Sequence, residues 1–334
     1  MYKQAMAAAY PILYIAEADP AEAILSSGLL KRLHDEMPKA SFTVVGSPES
    51  APLFRDVPRL ERLLVLPRET KAEWLKLWGQ VKDRRWFLVV DLRGSKISST
   101  LQREKRAVKK PTVQGAESEH AVIRAARALG LEDDPPAPHL FVSEETQNLV
   151  DELIGEAGDP IMAVGPGVQW IGRQWPFERF TKVATHLLGG DGPMCGGRLM
   201  IVGGEAERDA AYTIRFAVAR ERVIELQGKL DLLQTCAALR RARLFLGADS
   251  VWTQLAVAAG VPSVGVYGPS DEAVVGPWLG RAVRGPRGLA DYRRIDPGLN
   301  QAINHMMDVP MEPVLDAALD LHARTEPVME PPHG

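Results

Sequence analysis

Four stretches of this 334-residue chain carry residue types at spacings that could do chemistry on an anionic ligand. The first is Leu244 to Trp278, LFLGADSVWTQLAVAAGVPSVGVYGPSDEAVVGPW, where a strand ends at Asp249, a helix runs through Ala259, and a second strand ends in a Gly-Pro-Ser-Asp turn. Backbone N–H groups at that helix start and in the Gly268–Asp271 turn can face a phosphate, because unpaired donors gather at both places. Asp249 or Ser250 is equally placed to cap the helix. The second stretch, Val164 to Phe180 (VGPGVQWIGRQWPFERF), joins a strand to a helix through glycines and one cation, Arg173. In the third, Ile201 to Ala211 (IVGGEAERDAA), two glycines lead into an acidic helix start. Glu205 there can accept from ribose hydroxyls or complement the helix dipole. The fourth opens the chain, where Asp19 and Glu22 stand at a helix start and read either as a proton acceptor or as capping groups.

A fifth feature is charge alone. Between Lys96 and Lys110 stand Lys96, Arg103, Lys105, Arg106, Lys109 and Lys110 against one acid, Glu104, a local balance of +5. The run reads as a solvated helix face or loop, or as a contact for an anionic acceptor or membrane surface. Arg93 and Ser95 precede it at the end of a strand.

Composition removes several classes. A net charge of -3, with 46% apolar and 25% charged residues, is that of a globular protein and excludes collagen, coiled coil and wholesale disorder. There is no global basic field, so no nucleic-acid partner is expected. Cys195 and Cys236 make neither a disulfide framework nor a paired metal-ligand spacing, which fits a reducing cytoplasm. Seven histidines include no pair at i, i+4, and the dense acidic cluster Glu132 to Asp134 lies in a proline-rich loop, so no metal is expected. Gly165, Gly167 and Gly172 do not form G-x-G-x-x-G, and there is no G-x-S-x-G, which argues against a nicotinamide dehydrogenase and a serine hydrolase. The longest uncharged apolar run, Gln4 to Ala16, contains Pro11 and is too short to span a bilayer. Its end, Ile12 to Ala16, reads as a buried strand rather than as part of a secretory signal.

The elements that must position these residues alternate. Strands are expected at Ile12 to Ala16, Phe42 to Val45, Leu63 to Leu66 and Trp86 to Asp91, with a helix over Ala21 to Met37. After the loop EDDPPAP (Glu132 to Pro138), strands resume at Ile161 to Val164, Arg198 to Val202, Arg222 to Leu226, Leu244 to Gly247 and Ser263 to Tyr267. Apolar strands separated by helices predict an α/β fold of two doubly wound parallel sheets, with ligands gathered at strand carboxyl ends in a cleft between them. The expected domains are 1–150 and 151–312, then a helix over 313–326 packing back on the first domain and a frayed tail, 327–334.

The stretch Leu244 to Trp278 resembles the donor-domain signature of glycosyltransferase family 9, the lipopolysaccharide heptosyltransferases, through Asp249, Ser250, Leu255, Ala256, Gly268, Pro269, Asp271, Gly276 and Pro277. Val164 to Phe180 is similar to the family's Gly-Pro-Gly and Lys-x-Trp-Pro segment, with Arg173 in the lysine's place. The resemblance implies a GT-B architecture of two Rossmann-like domains, the first binding acceptor and the second donor. It implies an inverting, metal-independent, cofactor-free transfer of a heptose-like sugar from a nucleoside diphosphate, ADP-heptose above all. The acceptor would be an anionic, lipid-linked oligosaccharide of the lipopolysaccharide core, reached from the cytoplasm by peripheral contact with the inner membrane. Donor contacts would fall on Gly167, Arg173, Glu205, Asp249, Ser250, Gln254, Gly268, Ser270 and Asp271, and acceptor contacts on Arg93, Ser95, Lys96, Arg103 and Arg106. Glu22 takes the place of the family's aspartate, with Asp19 as a second candidate base and Arg173 stabilising the departing diphosphate.

Four positions depart from the family pattern: Ala21 for glycine, Arg173 for lysine, Val251 for glycine and Gln254 for histidine. They keep open a second reading, a non-catalytic sugar-nucleotide-binding or scaffold protein. A nucleotide-sugar epimerase of the same fold would need a second acid/base pair, and none is evident. Valine at 251 requires an ordinary backbone region there.

Overall fold

The computed structural model of the chain describes residues 10–111, 118–155, 158–209 and 211–325. Contacts divide it into two units after Asn148, with Leu232–Cys236 counting with the first. The first unit holds a five-stranded sheet of β1 (Tyr10–Ile15), β2 (Ala40–Gly46), β3 (Leu60–Val65), β4 (Trp86–Asp91) and β5 (Arg103–Val108), in the order β3-β2-β1-β4-β5. Every pairing is parallel, and β1 is central, with Ile15 opposite Val45 on one side and Asp91 on the other. The second unit holds β6 (Ile161–Gly165), β7 (Arg198–Ile201), β8 (Val223–Glu225), β9 (Leu244–Ala248), β10 (Ser263–Tyr267) and β11 (Arg281–Arg284), ordered β11-β10-β9-β6-β7-β8, again all parallel. The expected α/β class and the doubly wound parallel sheets are therefore present.

Burial explains why the central strands were legible. Residues of β2, β6, β9 and β10 are buried throughout, as expected of parallel strands covered on both faces. Helix Phe177–Leu188 buries Phe180, Val183, Ala184, Leu187 and Leu188, a single stripe at i, i+3, i+4, i+7 and i+8, against Met162, Val164, Leu199 and Ile201 of its sheet. Trp175 is fully buried just before it, donates its indole N–H to the Val309 carbonyl at 2.9 Å and meets Phe180 edge-on at 4.8 Å. That anchor fixes where the loop after β6 must end.

Three expectations are corrected. The basic run is neither a helix face nor a loop over Arg103–Val108; it is β5, the outermost strand of its sheet, where charged side chains are tolerated because one edge faces water. Strand β11 was not anticipated, being four residues with arginine at both ends. The helix expected over Ala21 to Met37 is two, Pro20–Leu25 and Gly28–Glu36. The hydroxyls of Ser26 and Ser27 bond back to the carbonyls of Glu22, Ala23 and Ile24, breaking the run, and a Cβ on Gly28 would overlap the carbonyl oxygens of Pro136 and Ala137. Helix Glu312–Thr325 places Val314, Ala318 and Leu321 in the second unit's core, over β9, β10 and β11. The tail from residue 327 lies outside the described residues.

Candidate functional site

In the second unit, the loops leaving the carboxyl ends of β6, β7, β9 and β10 carry the expected donor residues. Arg173 Nε lies 3.3 Å from Asp249 Oδ2, so the loops after β6 and β9 are joined by an ion pair between two of them. Arg173 keeps 44% of its side chain exposed, whereas Asp249 is almost covered. Behind the cation, the Gln174 amide donates to the carbonyls of Pro166 and Trp175 at 2.9 and 2.8 Å, which pins the loop carrying it.

Capping does not account for Asp249 and Ser250. Ser250 stands at the N-cap of helix Val251–Ala258 but makes no capping bond, its hydroxyl lying 3.5 Å from the Ala248 carbonyl. Val251 is the first residue of that helix, in the ordinary backbone region its side chain requires. Asp271, by contrast, does cap: Oδ1 accepts from Ala273 N–H at 3.0 Å. The turn it ends is gripped by Arg284 at the end of β11, whose guanidinium donates to the carbonyls of Gly268 and Ser270 and pairs with the Glu272 carboxylate, Nε lying 2.8 Å from both of its oxygens. The Ser270 hydroxyl is buried without a hydrogen-bond partner among the described residues.

The acid facing this region is Glu207 rather than Glu205. A Cβ on Gly167 would overlap the Glu207 carboxylate, and one on Gly203 would stand 2.7 Å from its Oε2, so the glycines after β6 and β7 leave room for this side chain. Glu207 Oε2 accepts from Gly204 N–H at 3.1 Å and from the Trp252 indole N–H at 3.0 Å. Burial pushes its carboxyl above the ordinary range, and those two donors only partly offset it. Glu205 is exposed and lies against Gly228. The single helical turn Glu205–Glu207 sends the two acids in different directions. Two glycines followed by acids two residues apart were the available signal, and the spacing alone does not choose between them.

Gln254 is 2% exposed and donates to the Val275 carbonyl at 2.8 Å, an acceptor it shares with the Tyr267 hydroxyl at 3.1 Å. It is committed to holding helix Glu272–Val275, although its Oε1 has no hydrogen-bond partner among the described residues. Trp252 and Arg284 went unnoticed in the sequence because each acts through a partner distant along the chain.

In the first unit, Asp19 is the cap of helix Pro20–Leu25, its Oδ1 accepting from Ala21 and Glu22 N–H at 2.9 and 3.1 Å. Glu22 projects from the first turn with 56% of its side chain exposed. Beside it lies Glu17, which the sequence did not single out; Lys109, at the end of β5, reaches Glu17 Oε1 at 2.6 Å and Glu22 Oε2 at 3.7 Å.

The expected acceptor residues mostly make internal bonds. Arg93 keeps 4% of its side chain exposed, donates to the Ala16 carbonyl at 2.7 Å and pairs with Glu69 at 3.4 Å; burial lowers its pKa. Ser95 donates to Asp91 Oδ2 at 2.8 Å. Arg103 holds the carbonyls of Leu101 and Ser99, and Arg106 holds the Ser98 hydroxyl, tying helix Ile97–Thr100 to β5. Lys96 is exposed beside that helix. Among the described residues no group of three or more His, Cys, Asp or Glu could hold a metal ion, and no helix is long and apolar enough to cross a membrane.

Two units, each a doubly wound parallel sheet, are those of the GT-B class of fold. The sequence model for glycosyltransferase family 9 (heptosyltransferase) matches residues 74–285, and the chain belongs to that family. No curated protein matches it in sequence. Among solved structures it is similar to a family 9 glycosyl transferase from Veillonella parvula, at 18% identity and TM-score 0.72 over 95% of this chain and 98% of that one. It is similar also to the E. coli ADP-heptose lps heptosyltransferase II, at 18% identity and TM-score 0.71 over 95% and 100%. A third is the E. coli heptosyltransferase WaaC with ADP, at 17% identity and TM-score 0.62 over 86% and 99%.

Proposed function

We propose that the protein transfers a heptose-like sugar, with inversion and without a metal, from an ADP-linked donor to an anionic core oligosaccharide of lipopolysaccharide at the cytoplasmic face of the inner membrane. The observation that supports this most is the gathering of Arg173, Asp249, Glu207 and the Gly268–Asp271 turn at the carboxyl ends of adjacent strands. In this reading Glu207 accepts from the ribose hydroxyls, while the exposed Arg173 and the turn hold the diphosphate. Glu22 takes the proton of the acceptor hydroxyl as its oxygen attacks the anomeric carbon. The bond from that carbon to the diphosphate breaks on the opposite face, and Arg173 stabilises the charge that collects there. Asp19 is a poorer base than Glu22 because its Oδ1 is already occupied by two backbone donors. Arg93, Ser95, Lys96, Arg103 and Arg106 remain the proposed acceptor contacts, with Lys96 and Arg106 the exposed ones among them.

The test is release of nucleoside diphosphate from a panel of nucleotide-sugars, with and without core acceptors and with chelator present. ADP release that requires both ADP-heptose and acceptor is expected. Tight ADP binding without transfer to any acceptor offered would favour the scaffold reading.

A further inference from the structure

The end of the first unit's sheet holds two carboxylates and one ammonium. Glu17 follows β1, Glu22 stands in the first turn of helix Pro20–Leu25, and Lys109 follows β5. Both backbone segments are fixed. Lys109 N–H donates to the Asp91 carbonyl at 3.0 Å, extending the ladder to β4 by one rung. The loop after β1 is held by Ser50 and Ser47, whose hydroxyls donate to the carbonyls of Glu17 and Ala18 at 2.9 and 2.7 Å. What remains adjustable is the ammonium, which carries three donors on a flexible stem.

Its position is unequal. Lys109 Nζ is 2.6 Å from Glu17 Oε1, within hydrogen-bond distance, and 3.7 Å from Glu22 Oε2, an ion pair beyond that distance. Glu17 keeps only 10% of its side chain exposed, against 56% for Glu22. We propose that Glu17 and Lys109 are a positioning pair for Glu22: Glu17 holds the ammonium back, so that it aims the Glu22 carboxylate without occupying the lone pairs the acceptor hydroxyl needs. This rests on the reading of Glu22 as the base.

Electrostatics work in the same direction. Two carboxylates and one ammonium leave a single negative charge, so Glu22 faces a cation already balanced by Glu17. When the acceptor O–H bond breaks and its proton passes to Glu22, the Lys109–Glu17 pair that remains is neutral, and no uncompensated charge is left in a half-buried place. Burial pushes the Glu17 carboxyl up and Lys109 pulls it part of the way back. The other charged or titratable groups acting on the cluster are Arg93, which lowers the Glu17 carboxyl, and Tyr14, whose hydroxyl Glu17 pushes further up. Behind them stand Asp91 and Glu69, both acting on Arg93.

The experiment is the pH profile of kcat, at saturating donor and acceptor, for the full chain and for Glu17→Gln, Lys109→Met, Lys109→Arg and Glu22→Gln. Without Glu17 the ammonium closes on Glu22, so Glu17→Gln should lower kcat with the donor KM unchanged and move the acid limb down by about half a pH unit or more. Lys109→Met removes the cation and should move the same limb up; Lys109→Arg should restore its position. Opposite displacements are the signature, because a purely structural pair would lower both rates and move neither limb. Lys109 is 40% exposed, so its variants test the proposal even if Glu17→Gln folds poorly. Unmoved limbs beside an inactive Glu22→Gln overturn the positioning role and leave the base in place. Full turnover in Glu22→Gln overturns the base reading itself, and no turnover in the unaltered chain overturns both.

Discussion

Glu207→Gln is the sharpest test of the donor site, because it preserves shape while removing charge. The amide oxygen can still accept from Gly204 N–H and Trp252 Nε1–H, the two donors that hold the carboxylate at 3.1 and 3.0 Å. What it loses is the anionic Oε1, which Gly204 does not bond and which Trp252 Nε1 approaches only at 3.4 Å. A ribose hydroxyl can donate to that oxygen, whereas the amide NH2 that replaces it cannot accept. The loss is therefore about one charge-assisted hydrogen bond, ~1.5–3 kcal/mol, or about 10- to 150-fold in Kd. Glu205→Gln, on an exposed residue of the same turn, should stay within ~0.5 kcal/mol. Isothermal titration of ADP into each variant without divalent metal reads both, with thermal melts confirming that both are folded. Equal affinity in Glu207→Gln and the unaltered chain, or a loss confined to Glu205→Gln, would refute the assignment and restore Glu205 as the ribose contact.

Three further outcomes are expected. Arg173→Ala should weaken ADP binding by about 1.5–3 kcal/mol, as loss of a charge-assisted contact does, and calorimetry showing no change would remove it from the diphosphate site. Arg284→Met strands the carbonyls of Gly268 and Ser270 and the Glu272 carboxylate together, so urea titration should show a loss of about 2–4 kcal/mol in stability, alongside weaker ADP binding. Glu207 also carries a pH dependence. Its folded carboxyl is raised above the ordinary 4.5, so folding takes up a proton and stability falls as pH rises from that value through the folded one. Glu207→Gln should therefore raise Tm of the nucleotide-free protein at pH 8, with the gain vanishing towards pH 4, and a gain independent of pH would point to packing instead.

How much of this was legible depended on whether a residue's role is local. Strands buried on both faces announce themselves by composition, as β6 (IMAVG) and β10 (SVGVY) do. β5 (REKRAV) does not, because an outer strand can carry charge and then looks like solvated surface. At the site, Arg173 and Asp249 were visible because each stands in a motif, and their 3.3 Å pairing follows from adjacent strand ends. Glu205 and Glu207 stand two residues apart, and one turn of backbone decides which of them points inward. Glu17 and Lys109 lie 92 positions apart and become a pair only through the β1-β4-β5 order. A count of charges in the basic run likewise leaves out that Arg103 and Arg106 donate to groups within the unit and that Lys109 pairs with Glu17.

The order of strands in the second sheet also dictates when that unit can finish folding. Its first strand, β6, pairs with β9, so Met162 finds Leu244 only after everything between them has been made. Pairings this distant in sequence cost loop-closure entropy before they return any contact energy, which places the unit among slow folders. During synthesis β6 waits with both faces apolar and one edge unpaired, the state in which a chain is most open to aggregation and to chaperones. The wait ends late. Val314, Ala318 and Leu321 are the last pieces of its core, and until helix Glu312–Thr325 has been made β9, β10 and β11 lack that cover. A ribosome-bound chain stopped before residue 312 should therefore bind hydrophobic dyes that the finished protein does not.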